Sequence, residues 1–276
     1  MTVIHRPGDG YTARVFGLVG RILDEHRDQP RPALYNLLRI LAKWRAEMLR
    51  GPALQATGSI VASGPFAGMT FKHGVAEGCF IPKLLGCYES ELHPHWLGLR
   101  RIRRYGTILD IGAAEGYYAV GLARLFPEAQ VVARDTNENS HAMVRDLAAV
   151  NGVADRIVVG GLFSHADFAA YADQPTLLLC DIEGGEKELL DPALVPALRR
   201  FDIVVEAHEG MDPTIPRLLM ERFAATHEIV GVRERLRDID FPARYQMRDS
   251  IDRMVSVWEF RASPTPCLVM RTKDFP

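Results

Sequence analysis

Four stretches of the chain carry residue types that do chemistry, each where an apolar run stops. "ILDIGAAEGYYAVGLA" ends its apolar run in Asp110 and turns at once through Gly112 and Gly116. "AQVVARD" ends in Asp135. "LLLCDIEGGEKELL" sets Asp181, Glu183 and Glu186 around two glycines, and "VVEAHEG" ends in Glu206, His208 and Glu209. Glycine lets a backbone approach a ligand closely, and a helix that starts after such a turn offers free N–H groups. A carboxylate one strand–helix unit downstream, as Asp135 is, can accept hydrogen bonds from both hydroxyls of a ribose. An imidazole beside carboxylates is either a general base for a hydroxyl proton or a metal ligand shared with Asp181 and Glu206. Octahedral magnesium prefers oxygen ligands, so His208 counts against that ion or for another divalent one.

The glycine loop also limits the ligand. A dinucleotide fingerprint would read Gly-x-Gly-x-x-Gly. Here the order is Asp110-Ile111-Gly112-Ala113-Ala114-Glu115-Gly116, with one glycine fewer and Glu115 where a pyrophosphate would meet like charge. A ligand with a cationic end and no phosphate suits Asp110 and Glu115 better. S-adenosylmethionine has an ammonium, a sulfonium and a ribose, and meets that description.

The elements that must position these residues follow from periodicity. "TILDIG", "AQVVARD", "RIVVGG", "PTLLLCDIE", "FDIVVEAHE", "HEIVGVRER" and "MVSVWEFRA" read as strands. Between them, Ala114 to Phe126, Asn139 to Val150, "GEKELLDPALVPAL" and "PTIPRLLMERFAAT" read as helices. Strands alternating with helices imply an α/β fold, a Rossmann-like, doubly wound, seven-stranded and mostly parallel sheet. The last two strands lack a full helix between them, which predicts antiparallel pairing and an antiparallel edge strand. Residues 1–55 read as a helical extension whose two helices are separated at Pro30 and Pro32, with Gly51 and Pro52 stopping the second. Residues 56–105 read as a hairpin and a helix broken near Pro94, and 106–276 as the ligand-binding domain.

Bulk properties exclude several classes. The formal net charge of −2 gives no general pull toward nucleic acid. Arg100, Arg101, Arg103 and Arg104 form the one dense basic run, read as a solvated helix face. The four cysteines make no Cys-x-x-Cys pair, which fits a reducing cytoplasm better than a disulfide framework. Neither a secretory signal nor an apolar run of membrane-spanning length is expected, and hence no membrane partner. Exposed apolar residues of the first helices, such as Phe16 and Trp44, suit a substrate wall or a homodimer contact.

On these residues the chain resembles a known family. "ILDIGAAEGYYAVGLA" is similar to motif I of class I S-adenosylmethionine-dependent methyltransferases, and "VVARDTN" to their acidic ribose-binding strand end. "CDIEGGE" resembles the Asp-x-Glu-Gly-x-Glu signature of the FkbM-type members. "LLGCYESELHP" looks like a segment upstream of motif I in related enzymes. The resemblance covers about residues 80 to 260 and not the N-terminal helices. It departs at Asp135, where the family usually has glutamate. It implies a cofactor set of Asp110, Gly112, Ala113, Glu115, Gly116, Asp135, Thr136, Gly161, Leu162 and Asp181, with Tyr88 and Glu89 folding over from the N-terminal side. Catalysis would fall to His208, Asp181 and Glu206, either directly or through magnesium held by the same three. The expected reaction is O-methylation of a small-molecule acceptor by in-line displacement. Its rivals are nitrogen or protein methylation on the same fold, a non-catalytic cofactor-binding module, and a nicotinamide oxidoreductase. His93, His95 and Trp96 read as a capping region or lid contacts.

Overall fold

A computed structural model of the chain describes residues 9–71, 79–235, 239–245, 247–261, 263 and 265–276. The first eight residues of the expected helical extension lie outside it.

The N-terminal region is a helical pair, α1 (Asp9–Glu25) and α2 (Pro30–Thr57). Helix α2 does not stop at Gly51 and Pro52 as the breaker residues predict; it runs on to Gly58, whose φ of 63° and N–H bond to the Leu54 carbonyl close it. The buried Leu49 and Ala53 bracket Pro52 and pack into the main core, and that packing outweighs one lost hydrogen bond. Of the expected hairpin only one antiparallel bridge forms, between Ile60 and Thr70; its last residue, Lys72, lies outside the described residues. Helices α3 (Phe80–Leu85) and α4 (His93–Ile102) follow. The break between them is at Gly86, with φ 76°, and not at Pro94, which occupies the first turn of α4, where a missing N–H costs nothing.

The core then alternates: β1 (Thr107–Ile111), α5 (Tyr117–Leu125), β2 (Gln130–Arg134), α6 (Glu138–Val150), β3 (Ile157–Gly160), β4 (Thr176–Cys180), α7 (Glu186–Leu189), β5 (Asp202–Glu206), α8 (Ile215–Phe223), β6 (His227–Val232), α9 (Ser250–Val257) and β7 (Cys267–Thr272). The seven strands form one sheet in the order β3-β2-β1-β4-β5-β7-β6. β7 alone runs antiparallel, inserted between β5 and the edge strand β6. The sheet is therefore the expected Rossmann-like mostly parallel one with antiparallel pairing at one edge, and its order reverses between β1 and β4, the switch point at which such sheets bind ligands.

Two further local expectations fail. "MVSVWEFRA", whose final Ala262 lies outside the described residues, is not the last strand. Asp249 accepts hydrogen bonds from the N–H groups of Ile251 and Asp252 and starts a helix there. That helix buries Asp252, Val255 and Ser256, at i, i+3 and i+4, against α2, and Arg45 clamps the Asp252 carboxylate from α2 at 2.6 and 2.7 Å. Alternation of valines read as a strand had hidden a one-sided helix. The stretch after β4 forms only one α-helical turn, α7, because Asp191, Pro192 and Pro196 break it up. No helix among the described residues is long and apolar enough to cross a membrane.

Candidate functional site

Register brings the carboxylates together. Ile111 pairs with Arg134 on one side and Cys180 on the other, and Cys180 pairs with Val205. Gly112, Asp135, Asp181 and Glu206 thus emerge side by side along the C-terminal edge of the sheet. Parity then selects the face. Ile108, Ala133, Leu179 and Val204 all belong to the core on the α2–α3 side. Asp110, Asp135, Asp181 and Glu206 lie two residues along from them and share that face.

The turn after β1 is built from three left-handed residues, Gly112 (φ 91°), Ala114 (φ 46°) and Gly116 (φ 90°). The N–H groups of its first three residues are not left open for a ligand, as a glycine turn suggests. Those of Gly112 and Ala113 bond the Arg134 carbonyl at 2.8 and 3.0 Å. That of Ala114 bonds Asp135 Oδ2 at 2.7 Å, while Asp135 Oδ1 accepts from the Asn137 N–H at 2.7 Å. A phosphate cradle needs such donors free, so this loop suits a ligand without phosphate. Glu115 is also engaged, in a buried ion pair with Lys83, whose ammonium lies 4.7 Å from the centre of the Tyr88 ring. The partner left for a ligand's cation is Asp110: it is buried and its Oδ2 has no hydrogen bond.

Burial and the negative charges of Asp135 and Glu115 push the Asp110 carboxyl up to about 7, although the Ala119 N–H favours its charged form. A ligand that brings an ammonium to Asp110 stabilises the carboxylate and lowers that value on binding. Binding should therefore strengthen as pH rises through about 7 and release a proton in that range. Calorimetry with S-adenosylhomocysteine in two buffers of different ionisation enthalpy reads the release, and Asp110→Asn should remove it. A release undiminished in Asp110→Asn would take Asp110 out of the site.

At the other end of the edge stands His208. Its Nδ1 is 2.7 Å from Glu186 Oε1, and Glu186 is itself fixed by the Gly184 N–H at 3.1 Å and fully buried. A carboxylate accepts, so Nδ1 carries the proton and Nε2 points toward the carboxylates at the ends of β4 and β5. There it meets Glu183 Oε2 at 3.3 Å, Asp181 Oδ1 at 3.5 Å and Glu206 Oε1 at 4.0 Å. Burial opposes charge on His208, but the Glu186 hydrogen bond and the charges of Glu186, Glu206 and Glu183 prevail and raise its pKa above the ordinary value. Glu206 is raised by burial and by Glu89, with Arg261 acting the other way. The Arg261 guanidinium bonds Glu206, Glu259 at 3.2 Å and Glu89 at 2.6 Å. Tyr118 donates to the second oxygen of Glu89.

Asp181, Glu206 and His208 offer ligand atoms within 4.8 Å of one another. The set does not suit magnesium: one donor is an imidazole and Glu206 already carries a guanidinium.

Three cavities line this edge in sequence, and a fourth adjoins the last of them. The first, about 350 Å³, is lined by Asp135, Thr136, Gly161, Leu162 and Asp181. It shares Gly112 and Asp181 with a narrow one bounded by Asp110, Ala113, Glu115, Tyr88 and Glu89. That one shares Tyr88, Asp181 and Glu206 with a third, about 140 Å³, which meets a fourth at Cys79. All but one of the expected cofactor residues therefore border these spaces. The exception is Gly116, where a Cβ would lie 3.1 Å from Val144 of α6, so its role is close helix packing. Trp96 is core, and His93 bonds the Tyr88 carbonyl at 3.1 Å; His95 lines a separate surface hollow. Sequence reasoning missed Lys83, Tyr118, Glu259 and Arg261. Lys83 alone had a visible signal, a single cation inside the apolar run "FIPKLLGC".

No protein-family model matches the chain, and no curated protein does. Among solved structures, it is similar to the O-methyltransferase from Bacillus cereus in complex with SAH, at 14% identity over 82% of this chain and 90% of that one, with a TM-score of 0.44. It is also similar to a cofactor-bound protein from MTB, at 15% identity over 83% and 90% of the two chains and a TM-score of 0.46. A third is the O-methyltransferase TomG from Streptomyces achromogenes, at 16% identity over 65% and 80%, with a TM-score of 0.42.

Proposed function

We propose that the chain is a class I S-adenosylmethionine-dependent methyltransferase of the FkbM type, acting on a hydroxyl of a small-molecule acceptor. The observation that carries this reading is the arrangement along one sheet edge. A strand-end carboxylate competent for a ribose stands at one end, a buried carboxylate with a free oxygen in the middle, and an oriented imidazole at the other end. The loop, with the N–H groups of Gly112, Ala113 and Ala114 already used, speaks against a nicotinamide dinucleotide. Two cavities beyond the cofactor region, the nearer lined by the carboxylates Asp181, Glu183 and Glu206 that surround His208 Nε2, speak against a pure binding module.

When bound, the cofactor supplies a methyl carbon on a sulfonium, which departs as a neutral thioether. The chain's own residues do the rest. Each Asp135 oxygen has a second lone pair available for a ribose hydroxyl, and Asp110 takes the ammonium. Tyr88, Tyr118 and Leu92 border the narrow middle cavity and limit water there. His208 Nε2 accepts the acceptor's hydroxyl proton as the oxygen pair forms the bond to carbon, while Glu186 holds the ring and stabilises the resulting imidazolium. Positioning contributes most of the rate and the base a smaller factor. The rival reading of the same cluster is a divalent ion at Asp181, Glu206 and His208, and turnover insensitive to EDTA rejects it.

The test is calorimetric titration with S-adenosylhomocysteine, where micromolar binding is expected. Asp135→Ala should weaken it at least about tenfold, roughly 1.4 kcal/mol, because ribose bonds go and the Ala114 N–H loses its anchor. Unchanged affinity in that variant would reject the cofactor assignment.

A further inference from the structure

The fourth cavity, about 210 Å³, lies between the N-terminal helices, α3 and α9. Its apolar wall is Phe80, Ile81, Pro82, Val255 and Phe260. Its polar wall is a stripe of α2 in which Lys43, Glu47 and Arg50 lie at i, i+4 and i+7 and so share one face. The Arg50 guanidinium sits 4.1 Å from the centre of the Phe80 ring and the Lys43 ammonium 5.7 Å from that of Phe260. Arg50 has a loose partner in Glu47 at 3.5 Å. Lys43 has no ion-pair partner among the described residues. The neighbouring cavity, met at Cys79, carries the opposite sign: Asp181, Glu183, Glu206 and Glu259 line it, and its two cations are already bound, Arg261 to Glu89, Glu206 and Glu259 and Lys83 to Glu115.

We propose, resting on the methyltransferase reading, that these two cavities form the acceptor site and that the acceptor is an anionic, ring-bearing hydroxyl compound. Its carboxylate or similar anion lies between Lys43 and Arg50, and its apolar body lies along the wall of Ile81, Pro82 and Val255. Its hydroxyl points past Cys79, which lines both cavities, toward the carboxylates that surround His208 Nε2. Charge fixes this direction. An anion turned the other way would face four carboxylates, and a hydroxyl turned the other way would lie far from the base. The N-terminal helices thus choose the acceptor, and the sheet edge performs the transfer.

The probes are para-hydroxycinnamate and its neutral amide, titrated into the full chain saturated with S-adenosylhomocysteine. The carboxylate is expected to bind about tenfold tighter than the amide. The double variant Lys43→Gln with Arg50→Gln should bring the two to equal affinity. Lys43→Glu, a change at an exposed side chain, should weaken the carboxylate further and leave the amide unaffected. Equal affinities in the wild type, a preference that persists in both variants, or binding of neither probe would overturn the proposal. Failure of S-adenosylhomocysteine itself to bind would instead remove the methyltransferase reading on which it rests.

Discussion

Gly112→Ala is expected to abolish cofactor binding and to destabilise the fold by about 3 kcal/mol or more. A Cβ at this position would lie 1.6 Å from the Asp181 carbonyl oxygen and 2.7 Å from its carbon. Neither atom is the movable end of a side chain. The Asp181 N–H is bonded to the Ile111 carbonyl at 2.9 Å, and the Gly112 N–H to the Arg134 carbonyl at 2.8 Å, so the neighbouring strand ends are tied to one another at the point of overlap. A φ of 91° adds strain for any residue with a side chain. To relieve the clash, β1 and β4 must part at their C-terminal ends. That is the line along which Asp110, Asp135 and Asp181 converge, so stability and binding should fail together. Gly161→Ala is the control: nothing lies within 4 Å of its added methyl, and stability should change by less than about 0.5 kcal/mol. Urea unfolding and S-adenosylhomocysteine titration of both variants decide the matter. A Gly112→Ala protein with wild-type stability would mean that the strand ends yield more easily than this bonding implies.

The strand ends were legible in the sequence because a parallel sheet makes each apolar run stop at the same edge. Asp110, Asp135, Asp181 and Glu206 could be named before their neighbours were known, since each closes a run of buried aliphatic residues. What the chain pattern could not supply was which of them is already satisfied. Glu115 looks like a ligand contact from its place in the loop, but Lys83, 32 positions earlier, neutralises it. Arg261 meets Glu89 from 172 positions away. Pairings of that span leave no periodicity to read. The C-terminal error has a different cause. Met254, Val255, Ser256 and Val257 alternate like a strand, and only the Asp249 cap and the Arg45 clamp from α2 make them a helix. Tertiary contacts decided between two local readings. The same limit applied at Pro52, where the packing of Ala53 into the main core carried the helix past a residue that usually ends one.

His208→Ala is expected to lower turnover by about two to four orders of magnitude while S-adenosylhomocysteine affinity stays within about twofold. The imidazole borders none of the contacts to Asp110 or Asp135, so its loss removes the proton acceptor and leaves the cofactor region intact. The pH profile carries more information than the size of the effect. A base works unprotonated, so turnover should rise with pH and level off above the histidine's pKa. That inflection should lie above the ordinary histidine value, because Glu186, Glu206 and Glu183 hold the protonated form against the opposing effect of burial. Glu186→Gln keeps the shape of the partner at Nδ1 but removes its charge. The inflection should then move down, and plateau turnover should fall because the imidazolium formed in the reaction loses its counter-charge. A purely structural role for Glu186 would lower the amount of folded enzyme without moving the inflection. A profile unchanged in Glu186→Gln, or full turnover in His208→Ala, would leave the carboxylates of β4 and β5 to act without it. The substrate proton would then pass to Asp181 or Glu206 directly. Glu206 is already raised by burial and by Glu89, so in that case the rise with pH would report a carboxyl group and would disappear in Glu206→Gln.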